Sequence, residues 1–193
     1  MARSLPDSIA SKLPKAAELF AARGFEATRM EDIAEATGVP KATLYYHFDG
    51  KEELLAGLLA RLLDELAAAV DEAVDRRGTA CHRLEAAIRA QLTVMAAHPV
   101  ECQVLLAELG RAGRMPEIAA AIQGAFHGPV QKLLADGRAD GSLRKVDEET
   151  MASAIFGSVT TTGLHALVVS GELDVERVAR AVLELVRRGV ATA

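Results

Sequence analysis

Apolar residues recur at helical spacing along most of the chain, and no stretch shows the two-residue alternation of a convincing β-strand. Over Ser8–Arg23 they lie three and four positions apart and stop at Gly24, which is typical of a helix ended by glycine. Pro14 cannot donate a backbone hydrogen bond, so it should either start the main part of this helix or kink it. A longer apolar stripe follows in the leucines of Leu54–Leu66. The pattern predicts an all-α fold.

Glycine, proline and capping residues divide the chain into about nine helices. Capping pairs are expected at Thr28 with Glu31 and at Asp49 with Glu52, and Pro40 suits the first position of a short helix. The remaining breaks or kinks are expected at Gly78-Thr79, His98-Pro99, Ala112-Gly113, Gly128-Pro129, Gly137 to Gly141 and Gly171.

Residues 1–50 have the pattern of a helix-turn-helix, in which a tight glycine turn joins the second and third of three short helices. Leu44 and Phe48 lie four positions apart on the third helix and should face the core. The outward arc then carries Lys41, Ala42, Thr43, Tyr45, Tyr46 and His47. Its two tyrosines are the only ones in the chain, and a stiff phenol ending in a hydroxyl suits contacts with phosphates and base edges. The alternative is a pair of interfacial core tyrosines.

Composition and charge indicate a globular protein of two parts. Half of the residues are apolar, a quarter are charged and 4% are aromatic without tryptophan, which excludes a disordered chain and argues against an aromatic-rich β-sandwich. The net charge of −5 comes entirely from residues 52–193, because basic and acidic side chains are equal in number over residues 1–51. We therefore expect a DNA-binding domain at 1–50 and a second helical domain at 51–193.

Several classes of protein are disfavoured by what the sequence lacks. No secretory signal and no uncharged apolar run of membrane-spanning length is found, so we expect a cytoplasmic protein without a membrane partner. Cys81-His82 and the pair His98 and Cys102 offer only two candidate ligands each, fewer than a zinc site needs, and no metal or cofactor is expected. No nucleophile–base–acid set indicates an enzyme. The lone histidines His127 and His165 are interpreted as packed or solvent-facing.

The segment TRMEDIAEATGVPKATLYYHFDGKEELL, from Thr28 to Leu55, resembles the DNA-binding segment of TetR-type transcriptional regulators. The resemblance begins near residue 10, takes in AAELF at 16–20, and extends to about residue 58. It implies that Thr28 and Lys51 contact phosphates at helix N-termini. It also implies that Lys41, Ala42, Thr43, Tyr45, Tyr46 and His47 face the major groove of operator DNA. The sequence departs from the family in having Pro40 where serine is common and Ala42 where glycine is common.

Two stripes of small and β-branched residues near the end of the chain suit close helix pairing. The first comprises Ile155, Val159, Thr162, Ala166 and Val169, and the second Val175, Val178, Val182, Leu185 and Val186. Because the last two helices of TetR-like proteins pair with their twins, the resemblance implies a homodimer through these stripes. The alternative is that either stripe packs inside the monomer.

An apolar set in the middle of the chain could line a pocket for a small molecule. It consists of Leu92, Met95, Leu105, Ile122, Phe126 and Phe156. The resemblance implies an effector there, whereas the residues alone indicate only a core. We predict a DNA-binding regulator, most simply a repressor that releases its operator when a small hydrophobic effector binds. The alternatives are a helical enzyme or ligand carrier with purely structural N-terminal helices, and a DNA-binding protein without an effector.

Overall fold

The computed structural model describes residues 6–109 and 116–190, and these ranges are helical without a β-strand. The all-α prediction is confirmed, and so is the expectation of about nine helices within the described ranges, when the interrupted first and seventh helices are each counted once. The helices are α1 (Asp7–Ala10 and Leu13–Arg23), α2 (Met30–Thr37), α3 (Lys41–His47), α4 (Lys51–Val74), α5 (Ala80–Ala97), α6 (Pro99–Leu109), α7 (Pro116–Ile122, a π-helical turn Gln123–His127, and Gly128–Asp140), α8 (Glu148–Ser170) and α9 (Val175–Val190).

The chain forms two compact units. The first runs to Leu62 and resumes over Val100–Ile118, and the second takes Leu63–Pro99 and the chain from Ala119 onward. The long helix α4 therefore contributes to both units. The functional boundary at residue 50 stays a prediction.

The core of the first unit is built on the helix-turn-helix. Phe20 and Phe25 stack with their ring centroids 5.7 Å apart, and Ile33 and Leu44 are fully buried beside the nearly buried Phe48. The inward orientation expected for Leu44 and Phe48 is confirmed. This anchoring turns the other side of α3 outward, because residues four positions apart share one helix face.

The helix ends of the first unit follow the sequence closely, with small shifts. Pro14 starts the main part of α1, which Gly24 ends at a positive φ of 79°. Pro40 is the residue before α3 rather than its first residue. The Thr28–Glu31 capping pair is wrong, because Asp32 accepts the Arg29 backbone N–H at 2.9 Å.

The second capping pair is wrong in the same way. Glu53, not Glu52, accepts the Asp49 backbone N–H, at 2.5 Å. In each case the accepting carboxylate lies one position after the predicted one, at the third residue of the helix. From there it accepts a hydrogen bond from a backbone N–H that has no partner within the helix.

In the second unit α5 packs against α7, α8 and α9. The closest approach to α8 is at Gly163, where a Cβ would stand 2.7 Å from Met95 Cε. The predicted kink at Gly128-Pro129 corresponds to the π-helical turn Gln123–His127 just before it. The break expected within Gly137 to Gly141 is confirmed: the helix continues through Gly137 to Asp140 and ends at Gly141. Leu143 folds back onto Gly137 in space that any Cβ would occupy.

One helix within the described ranges, α8, satisfies the length and composition of a membrane span, as core helices of water-soluble proteins also do. Of its most apolar window, 39% is buried against the rest of the protein.

Candidate nucleic-acid interface

The turn between α2 and α3 is held by a buried threonine. Thr37 donates its hydroxyl to the Ile33 carbonyl at 2.7 Å and accepts the Val39 backbone N–H at 3.3 Å. Gly38 between them adopts a left-handed φ of 63°, which is unfavourable for residues with a Cβ. These contacts fix the angle at which α3 leaves α2.

The outer face of α3 exposes the residues expected there. Tyr46 is 64% exposed and Tyr45 is 46% exposed, so neither is a core tyrosine in the single chain. Ala42 is exposed, while Thr43 and His47 are half-buried at the edges of the arc. The Tyr46 ring stands edge-on to His47 at 5.0 Å between centroids. The face thus combines two projecting phenols with a small central residue that lets the backbone approach DNA.

Lys41 is paired within the protein at the start of this face. Its ammonium donates to the Glu31 carboxylate on α2 and lies 5.7 Å from the centre of the Tyr45 ring. The hydrogen bond to Glu31 raises the pKa of Lys41, and the same bond lowers the pKa of the Glu31 carboxyl. Both side chains are solvent-exposed, so a phosphate can replace Glu31 as the partner of Lys41.

Thr28 and Lys51 occupy a different environment from the surface that the resemblance implies. Thr28 is fully buried, and its hydroxyl donates to the Gly24 carbonyl at 2.8 Å. The Lys51 ammonium donates to the carbonyls of Phe25, Glu26 and Thr28 at 2.8, 3.2 and 3.2 Å. It also stands 4.4 Å from the centre of the Phe25 ring. Lys51 therefore ties the start of α4 to the loop between α1 and α2.

The residues expected to line an effector pocket are distributed over both units. Leu92, Met95, Ile122 and Phe126 are buried in the second unit, and Phe156 is half-buried with its ring 5.3 Å from that of Phe126. Leu105 is half-buried and belongs to the first unit.

A cavity that the sequence did not indicate lies in the first unit. It has a volume of about 140 Å³ and brings together residues of α1, the loop that follows it, α4 and α6. Its lining is Phe20, Ala21, Gly24, Phe25, Leu55, Gln103, Val104, Ala107 and Glu108. No sequence signal could have found it, because its two ends are far apart in the chain.

The expected dimer stripes point mainly inward in the single chain. Ile155, Val159, Val178, Val182 and Val186 are buried by their own chain, Val175 is half-buried, and Thr162 is exposed. The apolar side chains left outside are Val168, Val169 and Leu185, which are 71%, 68% and 63% exposed. Of these, Val169 and Leu185 belong to the stripes. The monomer core thus takes the faces that the sequence assigned to a partner.

The surroundings of both cysteines disfavour the thiolate. Burial raises the pKa of Cys102 to about 12, and burial followed by the charge of Glu85 raises the pKa of Cys81. Within residues 6–109 and 116–190, no group of three or more His, Cys, Asp or Glu side chains is arranged to hold a metal ion.

Comparison with known proteins shows two family matches. Residues 13–58 match the model described as bacterial regulatory proteins, tetR family, and residues 77–190 match the model of the tetracyclin repressor-like C-terminal domain. The HTH-type transcriptional repressor KstR2 of Rhodococcus jostii is 31% identical over 188 residues, covering 92% of this chain and 88% of that protein. The match to KstR2 of Mycobacterium tuberculosis (34% over 104 residues) covers 54% of this chain and 52%, about half, of that protein.

Two solved structures are similar over nearly the whole chain. SCO3833 of Streptomyces coelicolor, a TetR-family regulator, is 31% identical with a TM-score of 0.70 and covers 91% of this chain and 88% of its own. AibR, solved in complex with isovaleryl coenzyme A and operator DNA, is 24% identical with a TM-score of 0.76 and covers 92% and 97%. The second likeness concerns the fold alone.

Proposed function

Because the chain belongs to the tetR family of bacterial regulatory proteins, we propose that it is a transcriptional repressor that binds operator DNA and releases it to a small molecule. The observation that carries the proposal is α3, which is anchored by Leu44 and Phe48 and exposes two adjacent tyrosines. A short helix that is buried on one side and polar on the other suits insertion into the major groove.

The residues of this surface have distinct roles in the proposal. Tyr45, Tyr46, Thr43 and His47 contact bases and phosphates, and Ala42 permits close approach of the α3 backbone. Lys41 exchanges Glu31 for a phosphate. Thr28 and Lys51 are positioning residues, since their polar atoms already bond the protein's own backbone.

A dimer supports this function, because one helix-turn-helix reads too few base pairs for useful specificity. We assign the interface to the outer face of α8 and α9 around Val168, Val169 and Leu185, with Thr162 beside them, since these side chains have no cover in the single chain. Large apolar side chains exposed on a pair of packed helices suit an interaction surface. The DNA-binding domain at 1–50, the effector-binding and dimerisation domain at 51–193 and a cytoplasmic location belong to the same proposal.

The test is selection of binding sites from a random DNA library, followed by titration of the selected operator with purified protein. We expect a palindromic site, and we expect Tyr46→Ala to weaken operator binding by about 5- to 150-fold, equivalent to roughly 1–3 kcal/mol. Lys132→Ala, at an exposed position on α7, serves as the control and should bind like the wild type. Failure to select any sequence, or equal binding by the Tyr46 variant, would contradict the proposal.

A further inference from the structure

Three polar atoms in the interior of the second unit have no hydrogen-bond partner among the described residues. One is Nε of Arg83, whose other guanidinium nitrogens bond the Val74 carbonyl and the Asp136 carboxylate. The other two are Oε1 of Gln91 on α5 and Nε2 of His127 in the π-helical turn of α7. A buried polar atom without a partner costs free energy in the empty protein, so each such atom calls for an explanation.

Gln91 is placed in a core position. Its side chain is only 2% exposed, and its Nε2 donates to the Thr160 hydroxyl on α8 at 2.7 Å. With the amide nitrogen used in this way, Oε1 remains as a buried acceptor. Leucine or methionine would fill the same space without this cost.

His127 also presents an acceptor. Its Nδ1 lies 3.2 Å from the Gln123 amide oxygen, which can only accept, so the ring proton is on Nδ1 and Nε2 carries a lone pair. Burial lowers the pKa of His127, which keeps the ring neutral near pH 7. The π-helical geometry that projects this ring is rare and often marks functional sites.

The two acceptors meet the same stretch of α8. The His127 ring is 5.0 Å from Phe156, and Gln91 bonds Thr160, which is one helical turn beyond Phe156 on the same face. Phe126, with its ring 5.3 Å from Phe156, adds an apolar wall. The arrangement is a cluster of tilted and edge-on aromatic rings with two hydrogen-bond acceptors beside it.

We propose that Gln91 and His127 form the polar end of the effector site, and that the effector has an apolar body ending in an O–H or N–H donor. An alcohol or a primary carboxamide fits this description, and a free carboxylate does not, because its oxygens would face two acceptors. The inference rests on the proposed function, since it takes the second unit as the place where a small molecule binds.

The test compares three probes that have the same alkyl chain length and differ in the polar head group, namely octanol, octanamide and octanoate. The corresponding twelve-carbon compounds are tested alongside them. Thermal stabilisation of the protein and release of a labelled operator are measured for each probe. We expect the alcohol and the amide to bind at least about fivefold more tightly than the carboxylate of equal length. Gln91→Leu and His127→Phe should each weaken the alcohol and the amide by roughly five- to tenfold and leave the carboxylate within about twofold.

A second readout needs no ligand. Replacing Gln91 and Thr160 together by methionine and valine removes the unpaired acceptor and its neighbour while keeping their shapes. If Gln91 and Thr160 serve ligand binding, the ligand-free double variant should melt at or above the wild-type temperature. If these two residues instead stabilise the fold, the double variant should melt several degrees below the wild type.

The results separate the inference from the function on which it rests. Equal or tighter binding of the carboxylates, no binding of any probe, unchanged discrimination in the variants, or a lower melting temperature of the double variant would each overturn the inference. Operator binding by the ligand-free wild type, measured in the same titrations, would then still support the repressor. Absence of operator binding would instead refute the proposed function.

Discussion

Replacing Lys51 by methionine separates the two roles that this residue could have in DNA binding. A phosphate-contacting lysine leaves the free protein unaffected when it is replaced. In the structure, however, the ammonium bonds three carbonyls of the loop between α1 and α2 and faces the Phe25 ring. We therefore expect Lys51→Met to destabilise the free protein.

The magnitude follows from the contacts that are lost. The bonds to the Phe25 and Thr28 carbonyls are partly buried, and each contributes about 1 kcal/mol net. The bond to the Glu26 carbonyl is exposed, and its contribution to stability is taken as roughly zero. The ring contact at 4.4 Å adds about 0.5–1 kcal/mol. The total is about 2.5–3 kcal/mol, or a fall in melting temperature of roughly 5–12 °C for a chain of this length.

Denaturant unfolding followed by circular dichroism measures the stability, and operator titrations over a range of salt concentrations measure the phosphate contribution. If Lys51 positions the loop, the stability falls while the slope of log affinity against log salt stays the same. If it binds a phosphate, the slope falls by about 0.9 and the stability is unchanged. Lys132→Met, at an exposed position, controls for loss of a lysine. Unchanged stability together with a reduced salt slope would refute the positioning role of Lys51.

Three further variants test other parts of the structure. Leu185→Asp should give folded monomers in sedimentation experiments, because Leu185 is exposed in the single chain. Val182→Asp should unfold the protein, because Val182 is buried. A folded dimer of the Leu185 variant would reject the outer-face interface. Gly137→Ala should lower the unfolding free energy by roughly 1–3 kcal/mol, measured with denaturant, because its Cβ has no space; an unchanged value would contradict the close approach. Glu31→Gln should release Lys41 and raise the affinity for all DNA by roughly two- to tenfold at low salt. Binding to non-operator DNA is the readout, and an unchanged affinity would argue against the competition between Glu31 and phosphate.

Local patterns predicted the architecture and the exposed face of α3. Leu44 and Phe48 share one face because of their spacing, so the exposure of Tyr45 and Tyr46 followed directly. Gly24 and Pro14 marked the ends of the main part of α1 through backbone geometry alone. These features depend on neighbours within one or two helical turns, which a sequence displays.

Features that depend on distant contacts could not be predicted in this way. Val178 and Val182 fill the monomer core, yet an apolar stripe has the same composition whether it faces its own chain or a partner. The contacts of Lys51 join residues that lie more than twenty positions apart. The range Gly137 to Gly141 marked a helix end, but the sequence does not show that Leu143 folds onto Gly137.

The ion pair between Lys41 and Glu31 has a consequence for how the protein would search a chromosome. Attraction to arbitrary DNA comes from cations that neutralise phosphates and release counterions. Here Lys41 gains a phosphate only by giving up a carboxylate, Lys51 is occupied by backbone carbonyls, and residues 1–51 carry no net charge. Contacts with wrong sequences should therefore be short, and the protein should move by frequent dissociation rather than by long slides along the duplex.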